Sequence, residues 1–121
     1  MPYVAANPEH YVGKKVGSGE CVAFVQAAGL APATGTWQAG VKVLSAAAGT
    51  ILKGTIIATM VDGRYPNHSH GNHAAVYLSH DATSIRVLDQ WLGQAVHYRT
   101  IHDHGGHGDA SDDASDYYVV E

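Results

Sequence analysis

Downstream of Gly54 the chain reads as one strand after another, and that succession narrows the fold more than any other feature. Thr55-Ile56-Ile57-Ala58-Thr59-Met60-Val61 is rich in β-branched side chains, which suit a pleated, half-buried surface. It ends at Asp62-Gly63, a turn signal. His73 to Leu78 is a second run, and His80-Asp81-Ala82-Thr83 turns the chain. Ser84 to Trp91 is a third, broken by Gly93. Residues 95–101 make a fourth and residues 117–120 a last. The stretch 102–116, rich in Gly, His, Asp and Ser, reads as a loop. Upstream stands one main helix, from about Gly19 to Gln26 or Ala28. Ser18 is its expected N-cap, Val22, Val25 and Ala28 form its apolar face, and Gly29 and Pro32 stop it. Asn7-Pro8-Glu9 opens a short earlier turn that Gly13 ends. Residues 33–40 read as a loop. Val41 to Leu44 is too short for its period to separate helix from strand, with a short helix the working expectation. A helix followed by strands on short turns is an α+β arrangement with an antiparallel sheet. No repeat or boundary interrupts the 121 residues, so one domain spanning 1–121 is expected.

Hydrophobic residues make up 45% of the chain and charged residues 15%, a globular balance. A net charge of -4 with no basic cluster argues against a nucleic-acid partner. No apolar run approaches the ~18 residues of a membrane span. The start, Met-Pro-Tyr-Val-Ala-Ala-Asn, lacks the basic and apolar regions of a Sec signal. A single cysteine, Cys21, excludes an internal disulfide and leaves a free thiol.

That thiol falls in the first turn of the main helix, within Ser18-Gly19-Glu20-Cys21-Val22. Unpaired N–H groups and the positive end of the helix dipole favour thiolate there. Glu20 beside it opposes this unless it points to solvent. The plain alternative is a small buried hydrophobe. A cysteine nucleophile needs a base, and the base needs an orienter. Of nine histidines, His73 is placed best, because it opens an apolar strand that would hold its ring rigidly. His68 and His70 sit in a loop, His80 in a turn, and His102, His104 and His107 in the glycine-rich segment. Asp89-Gln90 offers a carboxylate and an amide on the next strand. Alternation puts Val87, Asp89 and Trp91 on one face and Leu88 and Gln90 on the other, so only one of the pair can meet His73. Asp89 is the choice, since a carboxylate fixes the imidazole tautomer and stabilises imidazolium; Gln90 stays open, as does a purely turn-forming role for Asp89.

Three segments then carry a resemblance: Gly19-Glu20-Cys21-Val22-Ala23-Phe24-Val25, Gly71-Asn72-His73-Ala74-Ala75-Val76-Tyr77 and Val87-Leu88-Asp89-Gln90-Trp91. In this order they resemble the compact papain-like cell-wall amidases, namely the CHAP domains, the NlpC-type peptidases and the amidase effectors of type VI secretion. Gly54-Thr55 is similar to the Gly-Asp that usually precedes their first strand. The resemblance differs in detail, with Asn72 inserted before the histidine and Asp in the third position. It implies a papain-like fold, with the Cys-bearing helix packed on the sheet. It implies Cys21 as nucleophile, His73 as base and acid, Asp89 as third member, and a thioester route to an amide in peptidoglycan stem or cross-link peptides. Tyr11 is the upstream candidate for an oxyanion donor. Trp37, Tyr65, Gln90 and Trp91 are candidates for binding substrate, although Trp37 also suits a packing role. No cofactor is expected. The missing Sec signal, taken with the resemblance, implies export by a secretion machine, or release in phage lysis, and for an effector an immunity protein as partner.

Two other readings compete. His68-x-His70-x-x-His73, or His102-x-His104-x-x-His107 with Asp109, offers zinc ligands within a short segment. A non-catalytic binding module on the same fold is the other.

Overall fold

A computed structural model of the chain describes residues 1–66, 68 and 71–121. After a turn of 3-10 helix at Pro8–Tyr11, helix α1 runs Cys21–Gly29. Six strands follow: β1 Ala39–Lys42, β2 Ile56–Thr59, β3 Ala74–His80, β4 Ser84–Trp91, β5 Gln94–His102 and β6 Tyr117–Val120. They form one antiparallel sheet in the order β1-β6-β2-β3-β4-β5. The mixed α/β class is the expected one, with a single α-helix against an antiparallel sheet.

Alternation along the strands divides the core in two. Ile56, Ala58, Ala74, Val76, Leu88 and Val96 pack with Phe24 and Val25 of α1. Ile57, Ala75, Tyr77, Ile85, Val87 and Ile101 form the opposite face, closed by Val43 and Ala114 from 3-10 turns. Helix α1 lies against β3 and β4, the strands that follow His73 and carry Asp89. Gly29 lets it lie close: a Cβ there would stand 2.7 Å from Ile56 Cδ1.

Several local expectations shift. The helix begins at Cys21, with Glu20 as N-cap, and Ser18 Oγ instead accepts from the Glu20 N–H at 3.3 Å. It ends at Gly29 as expected, but the left-handed cap (φ +57°) is the next residue, Leu30. The segment read as a loop and short helix contains strand β1, then a 3-10 turn at Val43–Ser45. Its one partner strand is β6, remote in sequence, and the Ala39 N–H donates to the also remote Gly63 carbonyl at 2.9 Å, so nothing local announces it.

Candidate active site

Cys21 is the first residue of α1, reached through Gly17 and Gly19, both at positive φ (+57° and +89°). This loop is held from beneath. Gln90, fully buried on β4, accepts from the Val16 N–H at 3.0 Å and donates through Nε2 to the Val16 and Glu20 carbonyls, both at 2.8 Å. Amide and loop together fix where the helix, and hence the sulfur, begins.

His73 sits immediately before β3. Its N–H donates to Thr59 Oγ1 at 3.1 Å, and its carbonyl accepts from the Thr59 N–H at 3.0 Å. The backbone is therefore pinned to the end of β2. The ring is buried, with Nε2 2.7 Å from Asp89 Oδ2. Nδ1 is left for Cys21. Burial pushes the Cys21 thiol up, but hydrogen bonding and charge from His73 outweigh it and hold the thiol below its usual range. Burial alone would lower His73; Asp89 and Cys21 together raise it to about 9. Both shifts favour the thiolate–imidazolium form of the pair.

Asp89 is fully buried. Its Oδ2 also accepts from Arg99 Nε at 2.9 Å. Its Oδ1 lies 3.0 Å from Nε2 of His97, its cross-strand partner, but outside hydrogen-bond alignment. Burial would raise the Asp89 carboxyl, yet His73 and Arg99 keep it below the usual carboxylate range. Arg99 continues outward: Nη2 donates to the Ser111 carbonyl at 3.1 Å, and the guanidinium lies 5.5 Å from the Trp91 ring centre. Trp91 stands edge-on to His73 and His97, with centroids 6.3 and 4.9 Å away.

These groups open into a cleft of about 630 Å³ lined by Glu20, Cys21, Val22, Thr34, Tyr65, His68, Asn72, His73, Trp91 and Leu92. Tyr65 Oη stands 4.0 Å from the Cys21 sulfur. Burial and the neighbouring sulfur push the Tyr65 hydroxyl above the usual phenol range, so it stays an O–H donor. A half-buried thiol beside an imidazole and an O–H donor, in an open cleft, has the chemistry to attack a carbonyl.

A family model described as "Domesticated amidase effector 2" matches residues 2–120. The chain belongs to this amidase effector family. A type VI secretion amidase effector 2 protein of Salmonella typhi is 36% identical to it over a 135-residue alignment that covers all of both chains. Among solved structures, a type 6 secretion amidase effector 2 superposes with a TM-score of 0.85 at 38% identity, over 98% of this chain and 94% of that one. The fold of this amidase effector is thus papain-like, and its reaction class is hydrolysis of amide bonds.

Of the residues singled out in the sequence, the fold of the amidase effector brings Cys21, His73 and Asp89 together and sets Tyr65 and Trp91 on the cleft wall. Trp37 and Gln90 are not on that wall. Both are fully buried; Trp37 donates from Nε1 to the Pro32 carbonyl at 2.9 Å and packs edge-on under Tyr65 at 4.9 Å. Gln90 is the loop clamp, because alternation turns it to the helix side. Tyr11 packs edge-on against Phe24 at 5.7 Å and borders a separate hollow with Asn7, His10 and Ala28, so Tyr65 replaces it as the hydroxyl beside the sulfur. His97 and Arg99 are not among those residues, yet both lie against Asp89. The available signal was their alternation on a strand beside Asp89, a buried carboxylate that needs a cation. Among the described residues no three His, Cys, Asp or Glu side chains are grouped to hold a metal, and no helix is long and apolar enough to cross a membrane. His70 lies outside the described residues.

Proposed function

We propose that this amidase effector is a cysteine hydrolase, one domain over 1–121, that cuts an amide in the peptide stems or cross-links of bacterial peptidoglycan. The observation that carries the reading is the His73 Nε2–Asp89 Oδ2 hydrogen bond of 2.7 Å, which leaves the other ring nitrogen for Cys21. The thiolate attacks the carbonyl carbon, and a C–S bond forms as the C=O π pair moves to oxygen. The Cys21 backbone N–H, at the helix start, and the Tyr65 O–H hold that oxyanion. The C–N bond breaks as the His73 imidazolium gives its proton to the leaving amine. Neutral His73 then takes a proton from water, the hydroxide attacks the thioester, and the acid leaves as Cys21 returns to thiolate. Its relatives' names support delivery by type VI secretion. The site of action would be a target cell's periplasm, and the producing cell would need an immunity protein that covers the cleft.

The test is digestion of purified Gram-negative sacculi by wild type and Cys21→Ala, with fragments read by mass spectrometry. New peptide fragments that vanish in the variant are expected and would name the bond. Sacculi left intact by wild type across the pH range, or cut equally by both proteins, would overturn the reading.

A further inference from the structure

A second hollow, of about 300 Å³, adjoins the cleft; it shares Asn72, His73 and Trp91 with it and adds Arg99 and Ser111. We propose that this hollow is a carboxylate subsite, in which Arg99 receives a carboxylate carried by the substrate next to the amide that Cys21 attacks. The inference rests on the peptidoglycan reading above and deepens it, by requiring an anionic neighbour at the cut bond.

The charges on the walls carry the argument. Among the described residues, Arg99 and His73 are the only ionisable side chains lining the hollow, and no acid lines it. Asp89 lies beneath, fully buried, with His73 and Arg99 hydrogen-bonded to it. Two of the three guanidinium nitrogens of Arg99 are committed, Nε to Asp89 and Nη2 to the Ser111 carbonyl. The buried Tyr117 hydroxyl also lies beside the guanidinium. The third nitrogen, Nη1, has one ion-pair partner among the described residues, Asp112 Oδ1 at 3.5 Å, on a side chain that is 69% exposed. That pair is long and solvated, so a better-placed carboxylate can displace it at little cost. Meanwhile the two inner hydrogen bonds and the Trp91 ring hold the guanidinium still, which spares the ordering entropy of a free arginine on binding. Its side chain remains 19% exposed, hence reachable. The opposite sign sits elsewhere on the main cleft, at Glu20. The cleft is polarised, and a substrate with a carboxylate on one side of the scissile amide enters in one direction.

The experiment uses pairs of soluble stem peptides, identical except that the carboxylate beside the cut amide is free or converted to a primary amide. Wild type is expected to favour the free acid by about tenfold or more in kcat/KM, as charge-assisted recognition of a carboxylate by arginine gives. Arg99→Gln is expected to erase that preference. The readout is a ratio within one variant, so any loss of rate through Asp89 cancels. Asp112→Ala leaves Arg99 in place and is expected to lower KM for the free acid by removing the internal competitor. Binding of the same pair to Cys21→Ala, followed by calorimetry, keeps the subsite separate from the chemistry. A preference for the acid there, without cleavage by wild type, would sink the hydrolase reading and support the subsite. Equal binding of acid and amide, or none, would overturn the subsite, as would an Arg99→Gln protein that keeps the preference.

Discussion

His73 Nε2 and Asp89 Oδ2 stand 2.7 Å apart, and the carboxylate is wholly closed off from water. One oxygen thereby settles which nitrogen of the ring turns toward the sulfur. Arg99 shares that oxygen at 2.9 Å, so Asp89 keeps a positive partner whenever His73 is neutral. Asp89→Asn removes the charge and offers an amide donor where an acceptor is required. The expected loss in kcat is roughly 10³–10⁴-fold, as for loss of the carboxylate in other triads. Thermal stability should fall as well, since Arg99 is left half-buried without its counter-charge. Steady-state kinetics and a melting curve on one preparation check both parts.

In the proposed reaction the thiolate–imidazolium pair sets the pH window. Activity should be bell-shaped in kcat/KM, falling in acid as Cys21 is protonated and falling above about pH 9 as His73 loses its proton. The stability linkage follows the same histidine. Its folded pKa is raised above the unfolded value of 6.5, so its contribution is complete below that value and is lost as pH rises through about 9. Alkylation by iodoacetamide, followed against pH, should persist to lower pH than for a free thiol. In His73→Ala the profile should move upward; an unmoved profile would contradict the pairing.

Tyr65→Phe tests the hydroxyl beside the sulfur. The ring that packs on Trp37 is kept, so the fold should be unaffected. If the O–H holds the oxyanion, kcat falls by about 10²-fold with little change in KM, the usual size for one oxyanion donor. A change confined to KM would instead make Tyr65 a substrate-binding residue.

Asp113 organises the glycine-rich segment that presents Ser111 to Arg99. It is fully buried, and its two oxygens accept from the His104, Gly106 and Ser115 N–H groups at 2.9, 2.6 and 3.0 Å and from Ser115 Oγ at 2.8 Å. Burial opposes ionisation, but these donors bring the carboxyl down to about 2. Its stabilising contribution is therefore present above the unfolded value of 3.8 and fades as pH falls through about 2. Asp113→Ala leaves those donors unmet and should cost about 2–3 kcal/mol in a urea titration. Activity should drop too, as Ser111 loosens its hold on Arg99.

What could be read from residues alone divides by the range of the interaction. Strand β4 and strand β6 were legible to the residue, because β-branched periodicity and flanking turns are local signals. That only one of Asp89 and Gln90 can face His73 was legible too, since alternation sends them to opposite faces; Asp89 was favoured on carboxylate chemistry, with Gln90 left open. Strand β1 was not, because only pairing with β6 makes Ala39–Lys42 a strand. Tyr11 and Tyr65 show the same limit within the site. Each is an aromatic hydroxyl outside the main elements, and only the folded path of the chain decides which one reaches Cys21. Arg99 needed the β4–β5 register, which places it one position along the same face from the residue opposite Asp89.

The last strand in the sequence is an interior strand of the sheet: β6 lies between β1 and β2. During synthesis, Cys21, His73 and Asp89 all leave the ribosome well before it. Until residues 117–120 emerge, β1 has no neighbouring strand and the inner edge of β2 stays open. Tyr117, which donates to the Ser111 carbonyl at 2.7 Å, also comes with this strand. The nascent chain therefore carries its reactive groups for much of translation on a sheet that cannot yet close. Closure of the sheet waits on this segment, which enters as a wedge between β1 and β2.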